Sequence, residues 1–354
     1  MDQHADQLST NIRQELSKLV PRGSTVLLAV SGGKDSVVLS HAASRRTHEP
    51  EEVVTSRSPE ELKGVAHWNF LVAHVDHGLR GTHSQKDRIF VESLAEQLGL
   101  PFFCKIAADG SIVDQNQGSL EESARQVRYQ LLLEMAAEQG AEFVVTAHHR
   151  DDQAETVLHN LVRGSGLRGL SGMSVARPLG EHCQLLRPLL SVSRQQIDHY
   201  AALHQLTWCD DHTNADRSFT RNRLRHDVLP YLQTHSNRDI ANSLETIARQ
   251  AREAISIIDE VAGNLLDQCQ LERTPVSCRL SRATLQSASE PLIRHMLTLL
   301  WIRQCWPRQK MTSRHWSHLS ESIVNDTTSR RTLPGSIQMT LDHNIIRFER
   351  TNEA

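Results

Sequence analysis

No apolar run in this sequence approaches the length needed to cross a bilayer, and the N-terminus "MDQHADQLST" lacks the charged, then apolar, then small-residue order of a secretory leader. A soluble, cytoplasmic protein is expected. The six cysteines, at 104, 183, 209, 269, 278 and 305, include no C-x-x-C pair, which argues against a zinc ribbon or a redox dithiol and favours buried free thiols. No Walker A pattern G-x-x-x-x-G-K-[ST] occurs, and no internal repeat is found.

What is present is chain enough for two cores. The 354 residues exceed what one hydrophobic core usually serves, and 38% apolar with 23% charged residues is ordinary globular composition. The net charge of −3 conceals an asymmetry: residues 273–350 hold 12 Lys/Arg against 5 Asp/Glu, so that stretch carries +7 and the remainder −10. The C-terminal part is therefore the expected face toward an anionic partner.

Over the first two hundred residues "TVLLAV" (25–30), "NFLVAHV" (69–75), "PFFCKI" (101–106), "EFVVTA" (142–147) and "QLLRPLL" (184–190) have the length and the β-branched or aromatic content of strands. Helical patterns at about 36–45, 84–98, 119–139, 152–163 and 193–205 separate them. Near-continuous apolar strands alternating with helices predict a parallel sheet covered on both faces. The Pro-containing acidic stretch at 47–64 is expected to be a solvated insertion. After Pro188 the pattern changes to polar, Arg-rich sequence (208–232) and then to helix-period sequence. That predicts a domain boundary at 222/223, with a mainly helical domain over 223–354 that ends in a hairpin turned at Asp342-His343-Asn344.

The chemistry concentrates at strand ends. After the first strand stands Ser31-Gly32-Gly33-Lys34-Asp35-Ser36: a Gly pair opening a helix lets the backbone aim its N–H groups at an anion, Ser31 and Ser36 add hydroxyls, and Asp35 could orient a metal bridging phosphates. This turn resembles the pyrophosphate loop of the ATP pyrophosphatase superfamily, whose members activate an oxygen by adenylation. After the second strand come His74, Asp76, His77 and Arg80, and after the fourth His148, His149, Asp151, Asp152 and Glu155. Asp152 and Glu155, three apart on a nascent helix, face the same way and make an acidic pocket. Between the clusters after the second and fourth strands, Ser119 and Glu122 form a capping box, and Arg125 and Arg128 share a helix face that could clamp a triphosphate or a nucleic-acid phosphate. A rival assembly takes His74, Asp76, His77, His148, His149 and Asp152 as the two-metal site of a phosphoesterase. That rival leaves the Ser-Gly-Gly turn without a role.

Taken in order, "SGGKDS", "HVDHGLR", "ESARQVRYQLL", "TAHHRDDQAETVLHNLVRGSGLRGLSGM", "RPLL" and "RNRLRHDVLP" resemble the tRNA(Ile)-lysidine synthetases over about residues 26–230. The resemblance implies a Rossmann-like α/β fold with an open, parallel, five-stranded sheet of the PP-loop ATPase type, and a second, tRNA-contacting domain. It implies that ATP adenylates O2 of the wobble cytidine in a CAU-anticodon isoleucine tRNA, and that the ε-amine of L-lysine then displaces AMP from C2. Residues 31–36 and Arg125 would hold ATP, with Mg²⁺ on Asp35. Asp76, Asp152 and Glu155 would bind the ammonium, and one of these carboxylates or His148 would take its proton, while Arg128 would contact substrate phosphate. Arg163, Arg168, Arg221 and Arg223 would contact tRNA. Many members continue into a further C-terminal domain, whereas this sequence ends just after the hairpin. A tRNA thiolase would need cluster-binding cysteines, an amidotransferase-type synthetase would need a glutaminase domain or an N-terminal Cys, and a pure RNA-binding module would not need the loop.

Overall fold

The computed structural model describes residues 3–45, 68–76, 82–108, 120–209, 220–308, 310–325 and 328–351, with the side chains of 3–6, 82, 83, 120, 121, 220 and 221 left aside. The insertion at 47–64, His77, Arg80 and Ser119 lie outside the described residues. The chain divides into two compact units, Met1–Ala248 and Arg249–Ala354. The change of composition at 222/223 precedes that division, which falls inside a long helix, Ile240–Cys269.

In the first unit the strands are β1 (Thr25–Ala29), β2 (Asn69–Asp76), β3 (Phe102–Ile106), β4 (Phe143–Val145), β5 (Ala176–Pro178) and β6 (Gln184–Leu186), in the spatial order β3-β2-β1-β4-β6-β5. The five expected strands are parallel, and the sixth, β5, pairs antiparallel with β6 at the edge. Sequence reading passed over β5 because three residues ending in proline give no periodic signal, and proline is tolerated at an edge. The longer helices of this unit are α1 (Gln3–Leu19), α2 (Lys34–Ser44), α3 (Thr82–Leu98), α4 (Leu120–Glu138), α5 (Arg150–Val162) and α6 (Arg194–Leu203), beside short helical turns such as Leu167–Leu170 and Leu224–Val228.

Alternation along β1 sorts its side chains to two cores. Val26 and Leu28 pack with Leu8, Ile12, Val38, Leu39 and Tyr200 on one face, and Leu27 packs with Leu132, Met135 and Ala136 of α4 on the other. Both leucines are fully buried, each worth about 1.5–3 kcal/mol of transfer free energy. A strand buried on both faces has no polar side to show, which is why the sequence is apolar throughout. Chain order reverses between β1 and β4, so the turns after these two strands open side by side at the carboxyl end of the sheet, where open α/β sheets bind ligands.

The second unit holds the rest of the long helix, helices Glu290–Arg303 and Ser313–Val324, and a five-stranded antiparallel sheet of Gln270–Arg273, Ser277–Ser281, Ile345–Arg350, Ile337–Leu341 and Ser329–Leu333 in that spatial order. The expected hairpin is present, with Asp342 N–H donating to Ile345 O at 2.9 Å. The unit nevertheless carries more strand than its helix-period stretches announced. Its core centres on Trp301, Met296, Met339 and Phe348, all fully buried. Among the described residues no helix is long and apolar enough to cross a membrane.

Candidate active site at the carboxyl end of the sheet

The turn after β1 is held by its own groups. Gly32 sits at φ +93°, a conformation that strains any L side chain, and Gly33 caps α2 in extended conformation without a side-chain cap. The first-turn N–H groups of α2 are thereby aimed out of the helix end, as anion binding requires. The two serines divide the work. Ser36 is buried and donates its hydroxyl hydrogen to Gly33 O at 2.8 Å, so it braces the loop, whereas Ser31 is exposed and accepts from Gly33 N–H at 3.3 Å. Lys34 leans away along the helix to Asp198, at 2.7 Å, with its ammonium 4.7 Å from the Trp208 ring centroid.

The turn after β4 meets this loop through one ring. His149 is the N-cap of α5: its Nδ1 accepts the Asp151 N–H at 3.2 Å, while the Asp152 carboxylate accepts the His149 N–H at 3.1 Å. Nε2 then lies 3.5 Å from Asp35 Oδ2 and 3.5 Å from Asp152 Oδ2, so the pyrophosphate-loop acid and the pocket acid face each other across a buried imidazole. Burial opposes the charge on His149, but Asp151, Asp35 and Asp152 together outweigh it and raise the pKa to about 10, and the charged ring then presents Nδ1–H to Asp151 Oδ2, 3.5 Å away, instead of accepting the Asp151 N–H. Burial likewise pushes Asp152 up, and His149, His148 and Arg225 hold it below the usual carboxylate range.

Asp35 Oδ1 is buried and has no hydrogen-bond partner. A desolvated carboxylate oxygen left this way suits a hard cation, and Mg²⁺ commonly takes only one or two carboxylates with the remaining positions filled by phosphate and water. The residues present therefore fit magnesium on Asp35. They fit a self-contained metal cluster poorly: among the described residues no group of three or more His, Cys, Asp or Glu is arranged to hold an ion. His74 is buried with Nδ1 against Val30 O at 2.8 Å, His148 Nδ1 pairs with Thr146 Oγ1 at 3.0 Å, and His149 is spent as a cap. The phosphoesterase reading thus loses its ligand set among these residues.

Asp76 ends β2, buried, and Asp152 and Glu155 share the inner face of α5 as expected. Sequence reading missed what closes on them. Arg225 donates from Nη2 to Asp152 Oδ1 at 3.0 Å and its Nε lies 2.6 Å from Glu155 Oε1. It rides on Leu224–Val228, a π-helical turn whose Leu224 packs with Ala154, Val157 and Leu158 of α5. Its signal was indirect: two carboxylates on one buried face require a cation, and "RNRLRHDVLP" is the Arg-rich stretch that supplies it.

The other arginines are spread out. Arg128 is exposed on α4 and contributes to the positive field at His74, while Arg125 lies 5.4 Å from the Tyr129 ring. Arg163 and Arg168 are exposed beside the equally exposed Leu161, Val162 and Leu167, and Arg223 is exposed before the π-helical turn. The Arg221 side chain lies outside the described residues.

Comparison with known proteins gives three kinds of match. The profile of the PP-loop domain family matches residues 5–232. A tRNA(Ile)-lysidine synthase of Chlorobaculum tepidum is 35% identical over 250 residues, covering 71% of this chain and 69% of that one. Relatives of the same description in Geobacter sulfurreducens (39% identical) and Clostridioides difficile (34% identical) align over 59% and 66% of this chain. The aligned segment spans only 40% and 46% of those two proteins. Among solved structures, a U34-tRNA thiolase of Methanococcus maripaludis superposes with a TM-score of 0.55 at 16% identity, over 72% of this chain and 80% of that one, which is a likeness of fold.

Proposed function

The chain belongs to the PP-loop family of tRNA(Ile)-lysidine synthases, and from that premise we propose that it ligates L-lysine to C2 of the wobble cytidine of a CAU-anticodon isoleucine tRNA at the expense of ATP. The observation that carries the reading is the meeting of Asp35 and Asp152 on His149 Nε2, each at 3.5 Å, which sets a phosphate-binding loop against an acidic pocket.

The loop N–H groups and the N-terminus of α2 take the phosphates of ATP, with Ser31 at the rim and Ser36 holding the loop in shape. Magnesium on Asp35 would offset negative charge as phosphorus is attacked. Cytidine O2 bonds to the α-phosphorus and pyrophosphate leaves. The base then carries AMP on O2, which turns a poor leaving group into a good one. The ε-amine bonds to C2, the C2–O2 bond breaks, AMP departs with that oxygen, and the amine sheds its protons. Asp76, Asp152 and Glu155 draw the ammonium in, which at Asp152 and Glu155 requires it to displace the Arg225 guanidinium paired with them, and one of these carboxylates or His148 accepts a proton. Arg128 contacts substrate phosphate.

The target base must leave the anticodon-loop stack to reach the loop, so the site has to admit a splayed nucleotide. Arg163, Arg168, Arg221, Arg223 and the basic second unit supply backbone contacts, and the work is done in the cytoplasm. The test is incorporation of labelled L-lysine into an isoleucine tRNA transcript with the CAU anticodon, with and without ATP, beside a methionine tRNA control. ATP-dependent label on the isoleucine tRNA alone is the expected result. Absence of label, or label independent of ATP, overturns the reading.

A further inference from the structure

Arg125 and Tyr129 stand one helical turn apart on α4, Arg177 lies on the edge strand β5, and Arg187 follows β6 directly. The three guanidinium groups converge on one phenol. Arg125 and Arg177 lie 5.4 Å and 4.8 Å from the Tyr129 ring centroid, and Arg187, only 2% exposed, lies beside its hydroxyl. Arg187 is fixed by donation from Nη1 to Ser174 O at 2.8 Å, while its Nε is buried with no partner. Among the described contacts none of the three meets a carboxylate. Three cations around a half-buried ring with no acid among them repel one another, and an oxyanion relieves that repulsion.

We propose that Arg125, Arg177, Arg187 and the Tyr129 hydroxyl form a subsite for a small carboxylate, the α-carboxylate of the free amino-acid substrate. The inference rests on the lysine-ligating reading above and moves Arg125 from the nucleotide to the amino acid. Free lysine brings one anionic group that the acidic pocket repels, and the phosphates already have the loop and the helix end. A planar guanidinium fork matches a carboxylate edge to edge, and a site this enclosed suits one small anion better than a polymer backbone. Its place is right as well, since Arg187 leaves the carboxyl end of a strand beside β4, the edge of the sheet where the loop and the acidic pocket open. Burial pushes the Tyr129 phenol up, yet Arg125, Arg187 and Arg177 bring it down, the direction an electropositive site gives.

The test compares L-lysine with L-lysinamide, which keeps both amines and lacks the carboxylate charge, in ATP-dependent incorporation into tRNA by wild type, Arg177→Gln and Tyr129→Phe. Arg177→Gln is expected to raise KM for L-lysine about tenfold or more, as loss of a charged hydrogen-bond pair would, and to shrink the preference for lysine over lysinamide toward one. KM for ATP should stay within about twofold. Arg187→Lys, checked for folding by its melting curve, should shift the same preference. An unchanged preference overturns the inference, and so does a rise in KM for ATP with the preference intact, which would place a phosphate there. A wild-type protein that incorporates no lysine sinks the functional reading first, and the inference with it.

Discussion

Asp35 is one residue asked to do two things, and the two separate by substitution. One carboxylate oxygen faces His149 and the other is buried without a partner. Asp35→Asn keeps the shape and removes the charge, so the loop should fold while the cation and the transferring phosphorus lose their anchor. A metal-linked charge contribution of several kcal/mol predicts a fall of about 100-fold or more in tRNA-dependent pyrophosphate release. Asp152→Ala acts on the other side of the ring: pyrophosphate release should persist while lysine transfer falls to near background. Wild-type transfer in Asp152→Ala, or wild-type pyrophosphate release in Asp35→Asn, would show that the two acids are not divided between the two half-reactions. The loop itself was legible from sequence because the Gly pair and acid are contiguous. The role of His149 as a histidine N-cap was not, since capping is ordinarily read from Ser, Thr, Asp or Asn.

At the scale of elements, the π-helical turn 224–228 and α5 are joined by Arg225, whose guanidinium occupies the acids an incoming ammonium would need. Glu155 is 3% exposed, so removing the cation strands a buried negative charge. Arg225→Ala is expected to cost about 3–5 kcal/mol in denaturant unfolding, and pairing it with Glu155→Gln should recover part of that loss. A loss under about 1 kcal/mol would mean that solvent reaches the pair and screens it. This ion pair was invisible in the sequence because its partners are about seventy positions apart in a polar stretch with no period, whereas the parallel strands announced themselves by being buried on both faces.

A second junction ties α2 to α6: His41 Nδ1 lies 2.9 Å from the Tyr200 hydroxyl, with the His204 ring tilted at 45° and its centroid 5.0 Å away, and Arg45 on His204. Burial first, then His204 and Arg45, lower the His41 pKa to about 4 from 6.5. The folded protein therefore refuses a proton that the unfolded chain accepts below pH 6.5. Stability from this group is complete above that pH and drains away as pH falls toward 4. Urea midpoints measured from pH 7 to pH 4.5 should drop more steeply for wild type than for His41→Gln. Parallel curves would assign the acid sensitivity to other groups.

For the whole molecule, the charge asymmetry was the compositional feature that spoke of an anionic partner, and the second unit shows where part of it sits. The expectation of a mainly helical unit came from the strong period of Ile240–Cys269, while strands such as Ser329–Leu333 are short, polar and at a sheet edge, where alternation is weak evidence. That edge strand presents Arg330 and Arg331 to solvent. If these arginines meet tRNA phosphates, they release counterions on binding, and affinity must fall as salt rises. Arg330→Ser with Arg331→Ser is then expected to weaken tRNA binding at low salt and to flatten the log–log salt slope by about 1–2, with weaker binding to isoleucine and methionine tRNAs alike. A charge-driven contact has no means of telling those two tRNAs apart. Loss confined to the isoleucine tRNA would therefore make this edge a reader of sequence or shape, and an unchanged slope would leave the positive charge of the second unit without a nucleic-acid role.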